Sequence, residues 1–262
     1  MSTLTWQRRA LLGAAGPALL GVTAELAHRL GPPGPRLLPA PSSVVAAAAG
    51  LWSDGEFAAY AYATLHACTA GLAAAFGLAV TMGLLLGALP GIEQALRPII
   101  EFLRSVPSLV LIPLALSLLG DPSAAKAALI VYSCSWPILI TTLYGMLEVE
   151  PLLKDTLRAY GFGPLAIAWR ACLPSTAPHI ATGVRLAIPV ALIVSVSVEV
   201  ITGATPGIGT YIVNAYSFDR PAHALAATVV AGLLALAATE LCAAGEHRLF
   251  TWHRHTTGAQ PR

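Results

Sequence analysis

Long stretches of this chain carry no formal charge. No Asp, Glu, Lys or Arg occurs from Phe57 to Ile92, from Ser105 to Gly120, from Ala127 to Leu147, or from Pro221 to Thr239. A helix needs about 20 apolar residues to cross a hydrocarbon layer of roughly 30 Å. These runs and their apolar flanks predict six membrane spans, at about 10–30, 64–89, 98–119, 127–147, 185–205 and 222–243, with five as the main competing count. The fold class is therefore all-α, a polytopic bundle of membrane helices. Residues 1–63 read as one span, a proline-rich outer linker (GPPGPRLLPAPSS) and a short interfacial helix over Val44–Trp52, with Ser42 or Ser43 as its cap. Residues 64–262 read as the core domain.

Composition agrees. Hydrophobic residues make up 56% of the chain and charged residues 11%, with a mean hydropathy of +0.71; a soluble domain carries about 25% charged residues. A net charge of +2 leaves no footprint for nucleic acid. Cys68, Cys134, Cys172 and Cys242 form no CxxC pair and read as small buried hydrophobes. Arg8 and Arg9 ahead of an apolar stretch imitate a signal peptide, but no small-x-small cleavage site follows, so an uncleaved first span is expected.

Basic residues set the orientation. With the N-terminus inside, ten fall on the cytoplasmic side: Arg8, Arg9, Arg97, Lys154, Arg158, Arg170, Arg185, Arg248, Arg254 and Arg262. Four fall outside, Arg29, Arg36, Lys126 and Arg220, while Arg104 lies in the third span. Both termini and the 148–184 segment are thus expected in the cytoplasm. Pro107, Pro113, Pro137 and Pro189 interrupt the spans, as in broken helices that line a cavity. Gly71, Gly77, Gly83 and Gly87 fit close helix packing better.

The segment from Asp155 to Pro174 (DTLRAYGFGPLAIAWRACLP) differs from the spans around it. Pro151 opens a helix, Asp155 lies early in it, and Leu153, Leu157 and Tyr160 give it one apolar face. Lys154 and Arg158 share another face, where an acidic neighbour is needed to offset their repulsion. Gly161 ends this helix, Gly163-Pro164 starts a second, and Leu173-Pro174 is expected to stop it. A charged helix-turn-helix between apolar spans projects from the bilayer and touches something soluble.

This segment resembles the EAA loop of binding-protein-dependent ABC importer permeases. That pattern is Glu-Ala-Ala, three residues, Gly, nine residues, Ile, one residue, Leu-Pro. Aligned on Leu173-Pro174, its glycine falls on Gly161 and its glutamate on Asp155; Thr156 and Leu157 replace the alanines and Ala171 the isoleucine. Arg104-Ser105-Val106-Pro107, Ile112-Pro113-Leu114, Pro178–Leu186 (PHIATGVRL), Glu199 and Gly207-Ile208-Gly209 also resemble motifs of its nitrate, sulfonate and taurine-type permeases.

The resemblance implies a type I importer permease in the bacterial inner membrane. Two copies form the pore, ATPase subunits dock on the coupling helices, and a periplasmic or lipid-anchored binding protein delivers a small anion or organic solute. The coupling contact it implies falls on Asp155, Leu157, Arg158, Ala159, Tyr160 and Gly161, with Leu173 and Pro174 closing the loop. ATP and Mg belong to the partner ATPase. The only lysines, Lys126 and Lys154, follow Ala and Leu, so the chain has no Gly-Lys-Ser/Thr phosphate loop of its own.

Other chemistry is sparse. Gly161-Phe162-Gly163 and Gly207-Ile208-Gly209 read as turns, because neither follows a strand. His253 and His255 belong to a basic tail, and His66 reads as a satisfied polar residue. Glu199 is a carboxylate inside a span, which marks either a pore or gating residue, together with Ser195 and Arg104, or a structural acceptor for Ser195 or Thr202. Glu101 and Arg104 are expected to pair. An ion-coupled secondary transporter using Glu199 and a non-transporting scaffold are the alternative functions.

Overall fold

The computed structural model describes residues 3–30, 39–53 and 55–249. The linker with Arg36, and the tail with His253, Arg254, His255 and Arg262, fall outside these residues, as do the side chains of Arg8 and Arg9. The helices are α1 (Thr3–Leu30), α2 (Pro41–Gly50), α3 (Gly55–Ala88), α4 (Pro90–Ser105), α5 (Ile112–Leu119), α6 (Pro122–Glu148), α7 (Pro151–Ala159), α8 (Pro164–Ile167), α9 (Leu173–Thr202), α10 (Ile208–Ser217) and α11 (Pro221–Leu249). No strand occurs among the described residues. Proline occupies the first position of α2, α4, α6, α7, α8 and α11, where its missing N–H has no intrahelical partner to lose.

Three helices make the centre, with α6 packed along both α3 and α9. The buried residues of α3 form one stripe, with Phe57 and Leu86 at its ends and small side chains between them: Ala61, Thr64, Cys68, Gly71, Ala75, Ala79 and Gly83. Lipid supplies no hydrophobic drive between helices, so close backbone approach through small residues takes its place. A Cβ on Gly83 would stand 2.7 Å from Thr142 Cγ2, and one on Gly87 2.6 Å from Met146 Cβ, whereas Gly77 faces open space. Gly83→Leu should therefore lower the thermal midpoint of the detergent-solubilised chain, by the roughly 1–3 kcal/mol of an overpacked contact. Gly77→Leu is the silent control, and equal midpoints for the two would remove the packing account.

Among the described residues, four elements are long and apolar enough to cross a membrane: α3, α6, Ala168–Thr202 and α11. The pair α4 and Ser108–Leu119 adds a fifth if counted as one span, but it is bent by 82°. The third expected span, 98–119, is thus not a straight helix. Val106 and Pro107 take extended backbone (ψ 118° and 122°) between α4 and a 3-10 turn at Ser108–Leu111, because a residue before proline avoids the helical region. Pro113 lies in the first turn of α5, and Pro137 and Pro189 lie inside continuous helices, so of the four prolines only Pro107 stands at a break. The first expected span, 10–30, falls in α1, which is not among these elements and meets the rest chiefly through α2.

Two start signals differ from expectation. α2 begins at Pro41 after Ala40, and neither serine caps it. Its end is capped from α1 instead: the Ser42 N–H and hydroxyl both donate to the Glu25 carboxylate at 3.1 Å, while the Ser43 hydroxyl turns back to the Ala40 carbonyl. The fifth expected span, 185–205, belongs to a helix that already runs by Leu173.

Candidate functional site

At one end of the bundle α7 and α8 fold into a knob. Three bonds close α7: Tyr160 N–H to the Thr156 carbonyl at 3.1 Å, Gly161 N–H to Arg158 at 2.9 Å and Phe162 N–H to Leu157 at 3.0 Å. This pattern needs a left-handed residue after the cap, and Gly161 supplies it at φ +82°. Leu157 and Phe162 seal the turn and pack on Met146, Val149, Ile167, Ala171 and Cys172, which seats the knob on the end of α6. Arg170 stacks over the Phe162 ring at 5.0 Å.

The expected apolar face therefore divides. Leu157 points into the protein, while Tyr160 stands 79% exposed, with Leu152 and Trp169 also projecting. Asp155 offsets Arg158 through a 2.9 Å ion pair, and both are exposed enough that the pair adds little stability. Leu173-Pro174 does not stop the second helix. Ala168–Cys172 forms a π turn in which the Leu173 N–H reaches the Ala168 carbonyl, and the chain continues into α9. The wider turn absorbs a proline that has no N–H to give.

A polar hub lies at the opposite end of α9, where α3, α6, α9 and α10 meet around Glu199. Its side chain is fully buried. The carboxylate accepts from Thr64 Oγ1 at 3.0 Å, Ser195 Oγ at 3.0 Å, the Gly209 N–H at 2.9 Å and Lys126 Nζ at 3.2 Å. Thr64 in turn accepts the Ile208 N–H at 2.8 Å, so the first N–H groups of α10 are both capped from other helices. Gly207 is required because a Cβ there would collide with the Glu199 carboxylate.

Two expectations change here. Lys126 does not lie in an outer loop; it is 5% exposed and neutralises Glu199 inside the bundle. Thr202 is not a Glu199 partner, since its hydroxyl returns to the Val198 carbonyl of its own helix. Lys126, Thr64 and Gly209 were not singled out as site residues. One signal was available: Lys126 and Glu199 are lone opposite charges near the same end of two neighbouring apolar helices.

The remaining candidates are scattered. Glu101 and Arg104 pair as expected, Nε to Oε2 at 2.7 Å, on the exposed face of α4. His66 lies beside Tyr62 with ring centroids 6.0 Å apart. Cys68, Cys134 and Cys172 are buried free thiols and Cys242 is half-buried.

The chain is similar to several transport proteins. It is 31% identical to the nitrate import permease protein NrtB of Leptolyngbya laminosa over 63% of this chain and 60% of that one. It is 29% identical to the bicarbonate transport system permease protein CmpB of Synechocystis over 66% and 62%. The chain thus spans about three fifths of the length of these relatives. A putative aliphatic sulfonates transport permease protein, SsuC of Bacillus subtilis, is 25% identical over 97% of this chain and 90% of its own length. In fold it matches a chain of a bacterial alginate ABC transporter, with a TM-score of 0.66 at 16% identity over 95% of this chain and 93% of that one. Residues 74–249, holding the knob, the bent pair and all of the hub but Thr64, match the family model of the binding-protein-dependent transport system inner membrane component, and the chain is a member of that family.

Proposed function

We propose that this chain is the permease subunit of an ATP-driven importer for a small anion, of the nitrate, bicarbonate or sulfonate kind that its relatives' names describe. The knob carries this reading. It is anchored by Leu157 and Phe162 and presents Tyr160, Leu152 and an Asp155–Arg158 pair to solvent, as a docking element for a motor needs. A separate ATPase supplies ATP and Mg, because the chain has no phosphate loop. A second copy completes the pore in the cytoplasmic membrane, and a periplasmic or lipid-anchored binding protein hands over the solute. The division near residue 63 into an N-terminal part and a core belongs to the same proposal, although that point falls inside α3.

The ion-coupled alternative loses its support, since the Glu199 carboxylate is enclosed by two hydroxyls, a backbone N–H and the Lys126 ammonium rather than open to a pathway. Among the gating candidates Arg104 alone is exposed; Glu199 and Ser195 hold the architecture.

The test is reconstitution in liposomes with the partner ATPase and binding protein. Solute uptake should require ATP, and the chain alone should hydrolyse none; uptake by the chain alone under an ion gradient would sink the reading. Topology has its own check. With both termini inside, a cysteine at the exposed Trp169 should resist an impermeant thiol reagent in intact, outer-permeabilised cells and react after lysis. Labelling before lysis would invert the topology.

A further inference from the structure

The break between α4 and α5 lies against α6 and α9. Tyr132 stands ten residues along α6 from Pro122, roughly 15 Å from that helix end at 1.5 Å per residue. Its hydroxyl donates to the Leu103 carbonyl in the last turn of α4, at 2.6 Å. Leu103 is the residue whose carbonyl a continuing α-helix would satisfy from position 107. Position 107 is proline and has no N–H. The Val106 N–H reaches the same oxygen at 3.1 Å in the tighter 3-10 geometry, and Tyr132 supplies the second donor from another helix. Within a membrane, neighbouring helices satisfy the groups that a proline frees.

Two neighbours make this contact directional. Trp136 meets the Tyr132 ring edge-on, with centroids 5.5 Å apart, which holds the phenol at one angle. The Glu101–Arg104 pair occupies the same last turn of α4, so wherever Leu103 is held, that pair is held too. Charged groups within a membrane span normally face water or protein and mark solute paths, and both side chains of this pair are 46% exposed. α4 has no fully buried residue, and its partly buried Leu96 and Ile100 are what it packs on the core. Little else fixes its far end.

We propose that Tyr132 is a positioning residue of the transport pathway: its hydroxyl holds the bend between α4 and α5 and thereby sets where the Glu101–Arg104 pair stands. The proposal rests on the permease reading for its transport half. Pro107 forbids the straight helix and Tyr132 stabilises the bent one, so either device partly compensates for loss of the other. Losing both frees the break.

The experiment is a double-variant cycle on the reconstituted complex, with Tyr132→Phe, Pro107→Ala and the pair. Solute moved per ATP hydrolysed should fall about 3-fold in each single variant, as for loss of one hydrogen bond, and about 20-fold in the double. Trp136→Phe keeps an edge contact for Tyr132 and should stay within 2-fold of wild type, about the limit of a lost ring contact. Nitroxide labels on the exposed Gln94 and Leu147 report the bend in detergent without any partner. Their distance distribution should broaden in Tyr132→Phe and broaden further in the double. A double variant no broader than Pro107→Ala alone, with unchanged solute per ATP in Tyr132→Phe, overturns the proposal. If the wild-type complex moves no solute, the permease reading falls, and the label distances still decide whether Tyr132 holds the bend.

Discussion

Lys126→Met is expected to remove most of the folded protein from the membrane. The substitution keeps the length and apolar stem of the side chain but leaves the Glu199 carboxylate, which is fully buried, without the cation that pairs with it. Breaking one side of a buried pair costs about 3–5 kcal/mol, because a charge remains where water cannot reach it. That is a large share of a typical stability of about 5–15 kcal/mol. Adding Glu199→Gln should recover part of the loss, since the site is neutral again and the amide oxygen still accepts from one or two of the donors around it. Full recovery is not expected, because the new NH2 faces hydroxyls and an N–H. The measurement is the thermal midpoint of the solubilised chain followed by gel filtration. A wild-type midpoint for Lys126→Met would mean the pair contributes nothing, and a double variant worse than Lys126→Met would contradict the charge argument.

Gly161→Val is expected to abolish coupled transport while leaving the chain inserted. No atom lies within 4 Å of where a Cβ would sit on Gly161, so the effect is not a clash. It comes from the backbone: φ +82° costs a residue with a Cβ about 1–2 kcal/mol, and a β-branched one more. The nearest relief is to unwind the three-bond turn at Tyr160–Phe162. That turn aims Tyr160 outward while Leu157 and Phe162 hold the seat, so unwinding misdirects the docking face and spares the bundle. Gly161→Asn, which tolerates the left-handed region, should keep a substantial part of the activity. Substrate-stimulated ATP turnover and uptake, compared at matched expression, read the outcome. Wild-type values of both in Gly161→Val would remove this segment as the coupling element.

What could be read from the sequence divides by range. The end of α7 was legible because a glycine after an amphipathic turn acts within five residues. The stripe on α3 was legible in part, since small residues at helical spacing report a neighbour without naming it. Pro107 was noticed, but the charge-free run around it still looked like one span, and nothing local shows that a donor from Tyr132 supports a bend there. Leu173-Pro174 misled for a similar reason. Proline usually ends a helix, and only the π turn before it lets α9 continue. The hub was the hardest. Glu199 stood out alone, yet Lys126 lies 73 residues earlier and Thr64 135 residues earlier, so only the packing of α3, α6 and α9 brings them together.

The hub also sets an order for biogenesis. Chains emerge N-terminus first, so Thr64 and Lys126 reach the membrane before Glu199 has been made. An unpaired lysine in a span costs a few kcal/mol on insertion scales. Lys126 lies in the first turns of α6, close enough to the end for its stem to carry the ammonium to the interface. α6 is therefore expected to sit toward the interface until α9 brings the carboxylate to Lys126 and α10 adds the Gly209 N–H. Nascent chains that stop short of Glu199 are left with a tethered cation at the surface and a half-seated helix, the kind of target a membrane protease can extract. Truncations on either side of Glu199 are thus expected to differ sharply in membrane half-life, the shorter being degraded faster.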